Sequence, residues 1–323
     1  MHTRRTAGLG LGLALLSALA FSTSGPFARS LIDAGWSAEA AVATRVGIAG
    51  LILAVPAAVA LRGRWRVLRR NLGMVAVFGL LGVAAAQVGF FNSIRYLPVG
   101  IALLIEYLGV ILVVVWMWAV HGQRPRLLTV GGSVAAVLGL ALVLDLAGGG
   151  DGLDPVGVLW GLFAAVGLAG YFVLGARVDS ALPATAMASG GMAVGSATLL
   201  LLGAVGLLPM HAHFGTVTFA GQSTSWLVPI LGLAVVAGVV AYATGIGGAR
   251  LLGARLASFV GLTEVLFAVL VAWLLLDELP TVVQLVGGAL ILTGVTLVRL
   301  DEPKPRPDPK DPDGTPAPAM TAG

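Results

Sequence analysis

Three ionisable side chains stand within otherwise apolar stretches: Arg45, Glu106 and Glu264. A charge held at mid-bilayer costs about 2.5–3.5 kcal/mol on insertion scales, so such residues are candidates for handling a solute or an ion. A pair of carboxylates beside one cavity can bind an amine, or pass a proton as their protonation alternates. A guanidinium can pair with one of those acids or attract the carboxylate of a solute. Each also has a plainer reading: the acids as protonated or hydrogen-bonded structural groups, and Arg45 as a residue snorkelling toward the nearer interface.

Helical periodicity says where these acids point. Glu106 shares its face with Ala102 and Gly109, and Glu264 shares its face with Ala257, Gly261 and Ala268. Small residues on a carboxylate's own face bring other helices close, so both acids are expected to face a neighbouring helix or a cavity and not lipid. Further polar candidates for a pathway are Tyr107 beside Glu106, Ser22, Thr23 and Ser24 before Gly25-Pro26, Gln87 and Asn92, then Tyr171, Tyr242 and Thr244. Gly25-Pro26 either frees backbone groups toward a solute or ends the first helix. No cysteine is present, which excludes disulfides, thiolate metal sites and cysteine nucleophiles. His211 and His213 share one loop without further clustered ligands, so neither a metal nor another cofactor is expected, nor an enzyme, because no His, Asp or Ser constellation forms.

The elements that must position these groups are set by composition. Of 323 residues 58% are hydrophobic and 11% charged, with a mean hydropathy of +0.98. Soluble domains carry roughly 25% charged residues, so lipid must solvate much of this chain. Stretches of the ~20 residues needed to cross the hydrocarbon core fall at 7–27, 38–60, 72–94, 98–120, 127–147, 156–176, 184–208, 225–247, 254–276 and 280–299. The expected fold is an all-α membrane protein of ten spans. A cleaved signal peptide over 1–20 is the alternative, and it would leave nine spans. Residues 301–323, rich in proline and mixed charge, read as a disordered cytoplasmic tail.

The basic residues orient the spans. With both ends on the cytoplasmic side, only Arg29 and Arg95 of the 19 Lys and Arg fall outside, and Arg45 lies within a span. The run Arg62–Arg70 with Trp65 then lies against anionic lipid headgroups and is not a nucleic-acid patch. Trp36, Trp65 and Trp226 are expected as interfacial anchors, and Asp277-Glu278 as a solvated helix end.

The chain also repeats itself. Shifted by 155 residues, Leu97–Val143 falls on Leu252–Val298 without a gap, and Trp118/Trp273, Pro125/Pro280, Gly132/Gly287 and Gly139/Gly294 coincide. In that register Glu106 falls on Gly261 and Gly109 on Glu264, so each half carries one acid, a helical turn apart. Five spans per half is an odd number, which forces the halves into opposite orientation. Inverted repeats are a common way to build a carrier with two mirror-related states and a site at the repeat interface.

With these residues in place, the chain resembles the EamA-type members of the drug/metabolite transporter superfamily. The likeness rests on Leu97-Pro98-Val99-Gly100-Ile101-Ala102 leading to Glu106-Tyr107-Leu108-Gly109, on Ala254-Arg255-Leu256-Ala257-Ser258 leading to Thr263-Glu264, and on Leu276-Asp277-Glu278. The first segment is similar to the threonine/homoserine exporter branch. The resemblance implies ten helices in two inverted repeats, 1–147 and 148–300. It also implies a multi-pass carrier of the plasma or inner membrane that exports small polar metabolites, amino acids such as threonine or homoserine among them, with protons as the coupling ion. Where the family often has proline this chain has Val110 and Val265, which removes proline as a cause of kinks there. A nucleotide-sugar type of solute is the alternative within transport. Phosphate needs several cations, and only Arg45 lies deep. A lipid-modifying membrane enzyme is the alternative outside transport.

Overall fold

The computed structural model describes residues 2–97, 99–143, 154–177, 181–276 and 281–301. Seven helical runs in it are long and apolar enough to cross a membrane, and three shorter apolar helices of 10–17 residues accompany them. The first half comprises α1 (His2–Ser22), α2 (Ser24–Asp33), α3 (Ala38–Ala60), α4 (Trp65–Arg70), α5 (Leu72–Phe78), α6 (Ala86–Ser93), α7 (Val99–Tyr107), α8 (Gly109–His121) and α9 (Leu127–Val143). The second comprises α10 (Pro155–Arg177), α11 (Ala184–Ala204), α12 (Leu227–Ala234), α13 (Ala241–Leu252), α14 (Ala254–Gly261), α15 (Thr263–Leu276) and α16 (Val282–Asp301).

Each of the ten expected stretches contains helix, with shifted ends. The first run is bent at Thr23 and continues as α2 to Asp33, so Gly25-Pro26 does not end it. Ser22 and Thr23 donate their hydroxyls to the carbonyls of Leu19 and Ala20, one turn back on their own helix, both at 2.7 Å. Between α11 and α12 lies a feature the hydropathy reading passed over. Strands β1 (Thr216–Phe219) and β2 (Gln222–Ser225) pair antiparallel through Ala220 and Gly221, both at positive φ. That is the geometry a two-residue hairpin turn requires.

The hairpin loop folds back onto the α2–α3 turn. Trp36 is buried there, donates its indole N–H to the His213 carbonyl at 2.6 Å, and meets Phe214 and Trp226 at 5.8 and 5.7 Å between ring centroids. Trp36 is therefore a packing residue and not an interfacial anchor, because a loop distant in sequence covers it. Trp65 is half exposed on α4.

The duplication is visible in backbone detail. Among the described residues two π-helical turns interrupt the bundle, at Gly79–Ala85 between α5 and α6 and at Val235–Val240 between α12 and α13. They coincide under the 155-residue shift. The first packs on α10 and α11, the second on α1 and α3; α1 falls on α10 under the same shift, and α3 and α11 are each the second long helix of their half. The breaks between α7 and α8 and between α14 and α15 lie within one residue of each other under it. Leu108 has φ −59°, ψ −17° and Leu262 φ −59°, ψ −20°. At each break the chain tightens to i→i−3 hydrogen bonding, Leu108 N to Ile105 O and Leu262 N to Phe259 O, both 3.1 Å. Both helices are bent although Val110 and Val265 replace proline.

Glycines and hydroxyls hold the helices together, since apolar burial alone does not favour one helix contact over lipid. On α9 and α16, Gly132 and Gly139 lie against the backbone of Gly294 and Gly287. Ser189 on α11 donates to Gly50 O on α3 at 2.9 Å, and Ser17 on α1 donates to Ala241 O on α13 at 2.7 Å. The end of α16 corrects the expected tail boundary. Asp301 is a helical, buried residue whose carboxylate accepts from the Thr129 hydroxyl. Deleting residues 302–323 should leave the melting midpoint in detergent unchanged. Truncation after Leu300 strands the buried Thr129 hydroxyl and should lower stability by about 1 kcal/mol, as thermal unfolding of the two truncations would read.

Candidate functional site

One cavity of about 370 Å³ lies between the halves, within the size range of roughly 300–1,000 Å³ usual for small-molecule sites. It extends toward the end of the bundle carrying the α2–α3 turn and the hairpin, where Gly25, Ala38 and the 41% exposed Ile32 line it. The opposite end is tightly packed. Ala14, Leu256 and Val260 form a buried cluster there, and Gly248 packs directly on the Ala14 backbone. Above that seal the Tyr171 ring sits among Phe78, Phe172 and Tyr242, with centroids 5.7, 5.0 and 5.5 Å away.

Nine of the twelve side chains singled out from the sequence line this cavity: Ser22, Ser24, Arg45, Gln87, Glu106, Tyr107, Tyr171, Tyr242 and Glu264. The breaks in the fourth helix of each half help to place the acids, since Glu106 lies just before the break at Leu108 and Glu264 just after the break at Leu262. Their repeat counterparts, Gly261 and Gly109, both press on α10, against Phe172 and against Ala165 and Leu168. One helix thus backs both acid-bearing segments. The two carboxylates lie within electrostatic reach of one another, and the Tyr107 hydroxyl lies near Glu264. Gln87 and Tyr242, which occupy the same position in the repeat, both line the cavity and lie close to one another. They follow the two π turns directly, and such turns often accompany functional sites.

Asn92 and Thr244 are not in the lining. Asn92 is buried and donates to Val88 O at 2.8 Å, and Thr244 donates to Val240 O at 2.7 Å. Both satisfy a carbonyl one turn back on their own helix, which polar side chains in helices commonly do. Thr23 also stays outside the lining, whereas Ser22 belongs to it. Sequence reasoning missed Ser17, whose hydroxyl is buried at the wall, and the apolar body of the cavity: Phe21, Phe90, Phe91, Leu103, Leu168 and Leu233. A periodic hydroxyl on the first helix was the available signal for Ser17. Phenylalanine in a membrane span carries none.

A third acid lies toward the open end. Glu39, in the first turn of α3, is buried and accepts from Arg95 Nη2 at 2.5 Å, and Arg95 Nη1 reaches Asn92 Oδ1 at 3.3 Å. The pair ties α3 to the end of α6 beside the mouth. Among the described residues no group of three or more His, Cys, Asp or Glu could hold a metal ion. Asp277 and Glu278 lie outside the described residues.

Comparison with known proteins decides the family. The model of the EamA-like transporter family matches residues 8–145 and again 155–300. The chain belongs to the EamA-like transporter family. The match occurs twice, so its halves are duplicates, and the family is one of non-enzymatic carriers. An uncharacterized inner membrane transporter, YicL, of Salmonella typhimurium is 24% identical over 234 residues, 72% of this chain and 75% of the relative. A probable terminal-alkyne amino-acid exporter of Streptantibioticus cattleyicolor is 28% identical over 285 residues, 88% of this chain and 91% of the relative. A solved crystal structure superimposes with a TM-score of 0.69 at 22% identity, covering 93% of this chain and 96% of the other. That likeness bears on the fold alone.

Proposed function

We propose that this EamA-family protein is a secondary carrier of the plasma or inner membrane that exports small polar metabolites, amino acids among them, in exchange for protons. The observation that carries the reading is the meeting of Glu106, from the first half, and Glu264, from the second, at one cavity. A carboxylate that can be ionised or protonated binds an amine and a proton in turn, so release of one accompanies uptake of the other. The likeness to a probable amino-acid exporter supports the solute class.

Ten spans in two inverted halves, with both termini cytoplasmic, place the α2–α3 turn outside. The cavity is then open to the exterior and sealed toward the cytoplasm by α1, α13 and α14. Exchanging the conformations of the two halves produces the opposite opening around the same site. A carrier of phosphorylated solutes fits less well: Arg45 is the only Lys or Arg in the lining among the described residues, and a phosphate needs more than one cation.

The test is flux from proteoliposomes under an imposed pH gradient, across a panel of amino acids and other polar metabolites. The reading expects at least one solute whose flux follows the gradient and collapses with a protonophore. If the inserted protein moves none of them in a gradient-dependent way, the reading is wrong.

A further inference from the structure

Arg45 is the cavity residue whose chemistry the proton-coupled scheme leaves unused. It sits on α3, is 7% exposed and lines the cavity. Its Nε and Nη1 are buried without a hydrogen-bond partner. Among the described residues the ion pairs are Arg29–Asp33 and Arg95–Glu39, so no acid neutralises Arg45 directly. Glu264 lies within electrostatic reach of Arg45 without bonding to it. A buried guanidinium is retained at a cost unless its donors are met, and its planar fork matches a carboxylate in bidentate geometry.

We infer that Arg45 binds the carboxylate of a zwitterionic solute whose ammonium group is held by Glu106 and Glu264, which makes the site selective for α-amino acids over simple amines or simple acids. The inference rests on the carrier reading and specifies its solute. The ionisable groups at the cavity are one guanidinium and two carboxyl groups. An amine without a carboxylate leaves Arg45 without a bonded counter-charge, and an acid without an amine leaves any ionised glutamate uncompensated. A zwitterion meets both and adds no net charge. Selectivity of this kind comes from the penalty of an unpaired buried charge more than from added attraction. The rest of the cavity wall includes the apolar side chains Phe21, Phe90, Phe91, Leu103, Leu168 and Leu233, so amino acids with side chains of hydrocarbon character fit better than charged ones.

The experiment uses the full chain in lipid nanodiscs and measures equilibrium binding of radiolabelled alanine, leucine, phenylalanine and threonine. Each amino acid that binds is challenged with its decarboxylated amine, its methyl ester and its deaminated acid. Expected is binding of at least one amino acid, with leucine or phenylalanine ahead of threonine, and with all three analogues on the order of 100-fold weaker. Arg45→Gln should reduce the preference for amino acid over amine to within a few-fold. Arg45→Lys, which keeps the charge and loses the fork, should retain part of it. If amine and amino acid compete equally on the unaltered protein, or if Arg45→Gln binds and still discriminates, the inference fails. The ligand series on the unaltered protein decides the question even where Arg45→Gln does not fold. Gradient-driven flux of amines without this discrimination leaves the carrier reading standing and overturns the zwitterion site alone. Absence of any gradient-driven flux overturns the carrier reading.

Discussion

Glu106→Gln, reconstituted in proteoliposomes with an imposed pH gradient, should reduce gradient-driven solute flux to background. Glutamine keeps the size of the side chain and its hydrogen-bonding capacity while removing the group that ionises. The packing around Ala102 and Gly109, which is set by backbone proximity to α10, is untouched by the exchange. The variant should therefore insert and elute in gel filtration like the unaltered protein. If it does so and still transports at full rate, Glu106 is a structural residue. Glu264 then stands alone as the acid facing the cavity, and coupling through one acid from each half is lost.

The second large effect concerns the pair α9 and α16, the most extensive helix contact in the structure. A side chain at Gly139 would bring its Cβ within 2.5 Å of Gly287 O and 2.7 Å of Ile291 N. Both are backbone atoms of a neighbouring helix and cannot step aside by changing rotamer. Gly139→Leu should push the helices apart and destabilise the protein by about 3 kcal/mol, the upper part of the range for overpacked cores. Gly131, on the same helix, has open space where its Cβ would be. Gly131→Leu should stay within about 0.5 kcal/mol of the unaltered protein. Thermal unfolding in a mild detergent separates the two. Equal midpoints would mean that close backbone approach at Gly139 does not hold this pair together.

Much of this arrangement is legible in the sequence, for reasons that differ between elements. Spans announce themselves because lipid tolerates few charges over 20 residues, and the acids stand out against that background. Trp118/Trp273 and Gly139/Gly294 expose the duplication because such identities are rare by chance. The π turns at Gly79–Ala85 and Val235–Val240 have no such mark. A π turn differs from an α turn in hydrogen-bond register and not in composition, so it emerges only when neighbouring helices are in place. The bends at Leu108 and Leu262 teach the same lesson, since proline is absent and the backbone tightens all the same.

The site was partly readable on the same terms. Ionisable and aromatic-hydroxyl residues deep in spans were identifiable one by one, and nine of the twelve named candidates share the cavity. Asn92 and Thr244 show where the reasoning stops. Helical phase says which face a polar group is on, but not whether its own helix has already satisfied it. The Glu39–Arg95 pair required knowledge that the start of α3 meets the end of α6, a contact between residues far apart in the chain. The hairpin was hidden by scale. Four-residue strands are invisible to a window tuned for 20-residue spans, although Thr216-Val217-Thr218-Phe219 followed by Ala220-Gly221 carries β-branched residues and a turn pair.

Access to the cavity from alternate sides is the most direct test of the account. The natural chain contains no cysteine, so single replacements report cleanly. Ser24→Cys samples the open end of the cavity and Ala14→Cys the sealed end. Labelling by a membrane-impermeant maleimide, applied from each side, should find Ser24→Cys reactive from outside and Ala14→Cys protected in the resting protein. During solute flux the two should change reciprocally, Ser24→Cys becoming slower and Ala14→Cys becoming reactive from inside. Sustained flux with Ser24→Cys unchanged and Ala14→Cys still protected would contradict a central cavity that opens first to one side and then to the other.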